Sequence, residues 1–190
     1  MSTQKSLNNK LVGLRTLLSH LHTQILTPEL GREQAHSPLL QMIKESKAKD
    51  LPVGVIRVAI DAIETLEERY GAETCHLILR KLIQSIREQV PSSRTFLEQA
   101  PNFELILVIQ GHPVEIVAIA EFIRRSASRL YGPVLLGGGL KSAHLNWRCT
   151  VSAGVSTSRE SGFHFGQLVR DSENALRASQ LKGKNRVSAA

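Results

Sequence analysis

The chain has 190 residues, 42% hydrophobic and 22% charged, which suits a globular protein with enough length to bury a core. Its 24 Lys and Arg against 17 Asp and Glu leave a net charge of +7, which favours anionic partners such as nucleotides. No apolar run approaches the ~20 residues of a membrane span, and the N-terminal region holds no signal-peptide block. We therefore expect a cytoplasmic protein that does not enter a membrane.

The cysteines and aromatic residues exclude further classes of protein. Cys75 and Cys149 are the only cysteines, and neither a disulfide framework nor a Cys/His metal spacing is present, so both are expected to be small buried side chains. The chain has one Trp, two Tyr and five Phe, and its basic residues are dispersed. Without an aromatic stacking platform, nucleic acid is not the expected partner.

The N-terminal segment carries a heptad pattern of apolar residues that ends before Thr27 and Pro28. The pattern comprises Leu7, Leu11, Leu14, Leu18, Leu21 and Ile25. Such spacing predicts an amphipathic helix over residues 1–25, followed by a domain over 26–190. Two interpretations stay open: a coiled coil that forms a homodimer through residues 7–25, or a helix folded back on its own domain.

The remaining chain predicts alternating helices and strands around one sheet. Ser37 and Pro38 are a typical helix start, with Ser as N-cap and Pro in the first turn. Helices are predicted at 38–48, 61–70, 73–89, 114–130 and 165–182, and strands at 53–60, 94–99, 103–109 and 148–155. A flexible turn is expected at the three glycines 137–139. This order predicts an α/β (α+β) sandwich with a mixed sheet and a ferredoxin-like β-α-α-β-β-α-β core.

Four weak motifs then occur in order at consistent spacing. They are Leu26, Thr27 and Arg32; Asp61, Tyr70 and Gly71; Glu104 in a hairpin; and the tail residues Ser152, Gly154, Val155, Ala175, Leu176, Ala178, Gly183 and Asn185. In this order the chain resembles a GGDEF domain, the fold of diguanylate cyclases, over about residues 26 to 187. The resemblance implies the fold predicted above and supplies a register for the family's functional positions.

Diguanylate cyclases join two GTP molecules, and the resemblance implies carboxylates that hold Mg²⁺ on the triphosphate. The family's two metal acids fall on Ala59 and Phe103, neither of which can bind a metal. Asp61 is then only a remote candidate ligand, and a helix N-cap or turn acid is the simpler interpretation of it. Glu104 survives from the signature hairpin, although an exposed hairpin residue would look the same.

The resemblance also implies nucleotide contacts. The guanine-reading positions fall on Glu67 and His76, the phosphate-neutralising Lys on Gln180, and a later basic position on Lys184. The candidate nucleotide-binding residues are therefore Glu67, His76, Glu104 and Lys184, although His76 and Lys184 also suit a solvated helix surface. The signature glycines are replaced by Pro101 and Asn102, and the positions of the inhibitory product site, Ser92 and Thr95, lack its Arg and Asp.

These replacements favour a degenerate, non-catalytic GGDEF-like domain in cyclic di-GMP signalling that acts by protein interaction or dimerisation. One alternative is a sensor that binds GTP or cyclic di-GMP without turnover, and another is a weakly active diguanylate cyclase. No cofactor is expected, and Mg²⁺ would be needed only if nucleotide binding remains. The expected partner is another protein or a second copy of the chain, with a guanine nucleotide as a further candidate.

Overall fold

A five-stranded mixed sheet lies between two layers of helices, and a two-stranded hairpin accompanies it. The computed structural model describes residues 38–136 and 140–190. The helices are α1 (Pro38–Ala48), α2 (Ile63–Tyr70), α3 (Ala72–Gln89), α4 (Pro113–Arg129), α5 (Ser158–Ser161) and α6 (Phe165–Leu181). The strands are β1 (Val53–Ile60), β2 (Thr95–Ala100), β3 (Glu104–Gln110), β4 (Tyr131–Leu136), β5 (Leu140–Arg148), β6 (Val151–Thr157) and β7 (Val187–Ala189).

Strand β1 is the centre of the sheet, whose order is β2-β3-β1-β6-β7. It pairs antiparallel with both β3 and β6, while β7 pairs parallel with β6. Near its end, Ala59 lies opposite Glu104 on one side and opposite Ser152 on the other. The C-terminal end of β1 therefore meets the β2–β3 hairpin and the start of β6.

The core has two parts, one on each face of the sheet. Ile56, Val58 and Ile60 belong to the part that includes the apolar residues of α3 and α4, whereas Val53 and Val55 belong to the part with Ile43 and Leu168. Because both faces are covered, β1 is a nearly continuous apolar run instead of an alternating one. This accounts for the strong sequence signal at residues 53–60.

Helix α6 packs against β6 without side chains between their backbones. A Cβ atom built on Gly154 would lie 2.1 Å from the backbone nitrogen of Leu176 and 2.1 Å from the carbonyl oxygen of Ser172. The Ser156 hydroxyl donates to the carbonyl of Leu168 at 2.6 Å, and that of Ser179 donates to the carbonyl of Ala153 at 2.8 Å. Small residues on β6 thus set the position of α6, which carries part of the site described below.

The predicted fold class and most predicted elements are confirmed, with three corrections. Strands β4, β5 and β7 were not predicted, because they depend on pairing and carry little periodic signal of their own, and neither was the four-residue helix α5. The last predicted strand begins at Val151 instead of residue 148, and the helix expected from residue 61 begins at Ile63 after Ala62 adopts a left-handed φ of 53°. In the described ranges, no helix is both long and apolar enough to cross a bilayer.

Three predictions lie outside the described residues. The heptad helix over residues 1–25, with its dimer or folded-back alternatives, and the N-cap role of Ser37 fall in the range before Pro38. The glycine turn at 137–139 falls in the gap between β4 and β5. All three stay predictions.

Candidate functional site

A cleft of about 580 Å³ opens where β1 ends. Its walls come from the end of β1, the start of α2, the β2–β3 hairpin and the end of α6. The lining residues are Ala59, Ile60, Asp61, Ala62, Ile63, Glu64, Asn102, Glu104, Arg177, Gln180, Leu181 and Lys184. These residues together form the cleft.

Asp61 is buried, with 8% of its surface exposed, and its carboxylate accepts three hydrogen bonds. The Ser152 hydroxyl donates to Oδ1 at 2.7 Å, and the Thr150 hydroxyl and the Asn185 backbone N–H donate to Oδ2 at 2.7 and 3.0 Å. The helix N-cap is instead Ala62, without a side-chain cap. The N-cap interpretation of Asp61 is therefore wrong: the carboxylate joins the end of β1 to β6 and to the turn after α6.

Glu104 forms an ion pair and is not the exposed hairpin residue that its sequence position also suggested. Its carboxylate lies 2.7 Å from Nε of Arg57, and its side chain is only 20% exposed. The same guanidinium reaches Glu173 at 3.3 Å, and Glu173 in turn pairs with Arg177 at 2.6 Å. The negative charge that Glu104 brings to the cleft is thus already neutralised within the protein.

The hairpin keeps a turn conformation that usually needs glycine, although it contains none. Asn102 and Phe103 both have a left-handed φ of 59°, and the Glu104 N–H donates to the Pro101 carbonyl, an arrangement typical of a type I′ turn. The Phe103 and His76 rings pack in a T-shaped arrangement, with centroids 5.0 Å apart and an interplanar angle of 66°. A left-handed phenylalanine is costly, by roughly 1 kcal/mol, and packing against α3 helps to offset that cost.

The structure brings only part of the predicted nucleotide-binding set together. Glu104 and Lys184 line the cleft. Lys184 is exposed, and its own φ of 63° is left-handed. Glu67, half-buried on α2, and His76, exposed on α3 with Nδ1 2.7 Å from the Ala72 carbonyl, are not among the lining residues.

Sequence reasoning missed four charged residues at or next to the cleft: Arg57, Glu64, Glu173 and Arg177. Glu64 and Arg177 line it directly, while Arg57 and Glu173 belong to its ion-pair network. Arg57 had a usable signal, since it is the single charge within the apolar strand Val53–Ile60. The other three lie on helix surfaces, where charges are common and carry little information.

Both cysteines are buried and free, as expected. Burial raises the pKa of the Cys149 thiol to about 12, and the negative charge of Asp61 adds to the effect. Burial likewise raises the pKa of Cys75 to about 11, with a further contribution from Glu67. Thiols protonated at neutral pH are poor nucleophiles, and neither cysteine is among the residues that line the cleft.

The donor set of the cleft does not fit the Mg²⁺ ion that the resemblance implies. Ala59 presents a methyl group, the oxygens of Asp61 are occupied by hydrogen bonds, and Glu104 is paired with Arg57. Within the described ranges, no three His, Cys, Asp or Glu side chains are placed to share a metal ion. Glu64 alone would be one exposed carboxylate, which is less than a dedicated metal site requires.

Comparison with solved structures places this fold among GGDEF domains. The GGDEF domain of DgcB from Caulobacter crescentus, in complex with c-di-GMP, is 19% identical with a TM-score of 0.69, over 80% of this chain and 82% of that one. The active GGEEF domain of a Vibrio cholerae diguanylate cyclase is 22% identical with a TM-score of 0.60, over 80% and 90%. Diguanylate cyclase SiaD from Pseudomonas aeruginosa, in complex with its activator SiaC, is 17% identical with a TM-score of 0.69, over 99% and 70%.

Sequence comparison gives the family. No curated protein sequence matches the chain. The family model for the diguanylate cyclase GGDEF domain matches residues 25–186, most of the chain and all of the sheet except the outer strand β7. This protein therefore belongs to the GGDEF domain family.

Proposed function

We propose that this chain is a non-catalytic GGDEF domain that acts in cyclic di-GMP signalling through protein interaction or dimerisation. The observation that carries the proposal is the state of the carboxylates in the cleft. A methyl group stands at Ala59, Asp61 is used to hold the fold together, and Glu104 is neutralised by Arg57. Phosphoryl transfer between nucleotides needs metal-bound phosphates, and these side chains are poorly suited to supply them.

The interaction role is supported by the N-terminal heptads and by two relatives. A solved structure of Caulobacter crescentus DgcB comprises a coiled coil and a GGDEF domain, and SiaD was solved with its activator SiaC. A heptad seam before the domain suits the same kind of organisation in this chain. A cytoplasmic homodimer through residues 7–25 is accordingly part of the proposal.

The catalytic half of the proposal is tested by incubating the full chain with GTP and either Mg²⁺ or Mn²⁺. No cyclic di-GMP is expected by mass spectrometry, with an active diguanylate cyclase run in parallel as the positive control. Product formed in a metal-dependent way would overturn the proposal and indicate a weakly active cyclase instead.

The dimer is tested by light scattering on the full chain. Wild type is expected to have twice the chain mass of 21.0 kDa. Leu18→Glu, on the heptad seam, should give a monomer, because a charge at a seam position opposes coiled-coil pairing. Ser19→Glu, which lies off the seam, is the matched control and should remain dimeric. A monomeric wild type would refute dimerisation and favour the folded-back helix.

A nucleotide sensor without turnover is the second candidate. It is favoured by two cations, Arg177 and Lys184, that line a cleft of about 580 Å³, because cations can neutralise phosphate without a metal. Calorimetry with GTP, GDP, ATP and cyclic di-GMP tests it. Lys184→Ala should weaken binding about tenfold. The matched control is Lys182→Ala, an exposed lysine outside the cleft. No heat with any of these nucleotides would exclude the sensor.

A further inference from the structure

Arg57 is an unusual residue for the centre of the sheet. It is the only charged residue in β1, whose other seven residues are buried, and its side chain is just 13% exposed. Taking a guanidinium out of water is costly unless carboxylates pair with it. Arg57 can therefore be buried only because carboxylates pair with it.

Two carboxylates from different parts of the fold meet this one guanidinium. Glu104 from β3 lies 2.7 Å from Nε, and Glu173 from α6 lies 3.3 Å from Nη1. Both acids are partly buried, with side chains 20% and 34% exposed. Without the guanidinium, Glu104 would lose its ion-pair partner, and Glu173 would keep only Arg177, whose side chain is 67% exposed. Two partly buried negative charges would then be poorly compensated, which destabilises the folded state.

The backbone around Arg57 brings these groups together. Its pairing partner on β6 is Gly154. At Gly154 the backbone of α6 packs directly against the backbone of β6. Because Ser172 lies directly over Gly154, the next residue, Glu173, is carried to the Arg57 side chain. On the other side, Arg57 lies opposite Ile106, two positions along β3 from Glu104.

We propose that Arg57 is a built-in cation next to the cleft that takes the electrostatic place of a divalent metal. It neutralises Glu104 and Glu173 and joins the β2–β3 hairpin to α6, so the cleft keeps its shape without Mg²⁺. The inference deepens the proposed function, and it rests on one part of it, namely that the cleft functions without a bound metal. It assigns Arg57 a positioning role, with no contact to a reacting group.

The test compares melting temperatures of the full chain with EDTA and with millimolar Mg²⁺ or Mn²⁺. Wild type should melt at the same temperature in each. Arg57→Met, which keeps the methylene stem and removes the charge, should melt about 5 °C lower in EDTA. Added divalent cation should restore much of that loss, because a cation bridging Glu104 and Glu173 stabilises only the folded state.

Two controls separate this role from ordinary ion pairing. Arg94→Met removes the partner of Glu115 in an exposed pair, whose side chains are 41% and 40% exposed, and should show no response to divalent cations. Arg57→Met combined with Glu104→Gln should lose the response, because one carboxylate remains. If Arg57→Met is unfolded in EDTA, refolding by Mn²⁺ followed by circular dichroism is the readout.

The outcomes are distinguishable from those of the cyclase assay. A cation response confined to Arg57→Met supports the assignment of Arg57 as the cation that neutralises Glu104 and Glu173, and this melting measurement is independent of the cyclase assay. A wild type that is itself stabilised by Mg²⁺ or Mn²⁺, or an Arg57→Met variant that neither regains stability nor refolds with either ion, would overturn it. Metal-dependent product from wild type would overturn the proposed function by a separate measurement.

Discussion

The substitution Gly154→Ala should be among the most damaging single-methyl changes in this protein. The new Cβ would lie 2.1 Å from two backbone atoms of α6 and 2.8 Å from the carbonyl carbon of Ala175, whereas ordinary contacts begin near 3.4 Å. The neighbours are backbone, so no side chain can rotate away. Helix α6 would have to move off β6 by roughly 1 Å.

The cost follows from that displacement. Overpacking of a tightly packed site costs about 1–3 kcal/mol, and two buried hydrogen bonds, from Ser156 and Ser179, would be strained at about 1 kcal/mol each. We therefore expect a loss of about 4 kcal/mol in the free energy of unfolding, and a melting temperature lower by about 10 °C. Urea unfolding followed by circular dichroism measures the first quantity, and calorimetry measures the second.

Gly166→Ala is the matched control, because it adds the same methyl group to the same helix. Its Cβ would meet only the Arg170 guanidinium, at 3.9 Å, and the position is exposed. Alanine is the better helix former, so this variant should be as stable as wild type or up to about 1 kcal/mol more stable. If Gly154→Ala unfolds within about 0.5 kcal/mol of wild type, the close packing of α6 on β6 is refuted.

Two further predictions concern Asp61 and the thiols. Asp61→Ala should lower the free energy of unfolding in urea by about 3 kcal/mol, because three donors lose their acceptor. Asp61→Asn should lower it by less. If both variants are as stable as wild type, Asp61 does not have this bonding role. Because the folded-state pKa values of Cys75 and Cys149, about 11 and 12, lie above the ordinary 9.0, the unfolded chain loses its thiol protons first. Their contribution to stability should be complete below pH 9 and lost as pH rises from 9 towards 12, and a variant with alanine at both positions should show a shallower alkaline loss.

Local patterns made most of the fold predictable. Strand β1 is a short apolar run, and helices α3, α4 and α6 carry apolar periodicity within their own residues. The structure has all four within a few residues of the predicted bounds. Strand β7 has only three residues, and the β4–β5 hairpin follows an irregular register with a shift between Pro133 and Leu135. Such strands are defined by their partners, so their own residues give little signal.

The candidate site divides in the same way. Alignment with the family motifs is enough to assign one of the family's metal-binding positions to Ala59, because the alignment needs only spacing along the chain. The state of the surviving acids could not be read from spacing. Arg57 pairs with a residue 47 positions away and with another 116 positions away, and the backbone N–H that binds Asp61 is 124 positions from it.

The sequence alone thus determined the family, the layered α/β architecture and the identity of the side chains at the family's functional positions, because each of these depends on residue type and on short-range order. The tertiary structure decided what those side chains do. It brought Arg57 between Glu104 and Glu173, and it occupied Asp61 with bonds to β6 and to the turn after α6. A carboxylate is available to a ligand only when no other part of the protein has already satisfied its charge and hydrogen bonds, and that condition depends on contacts between distant residues.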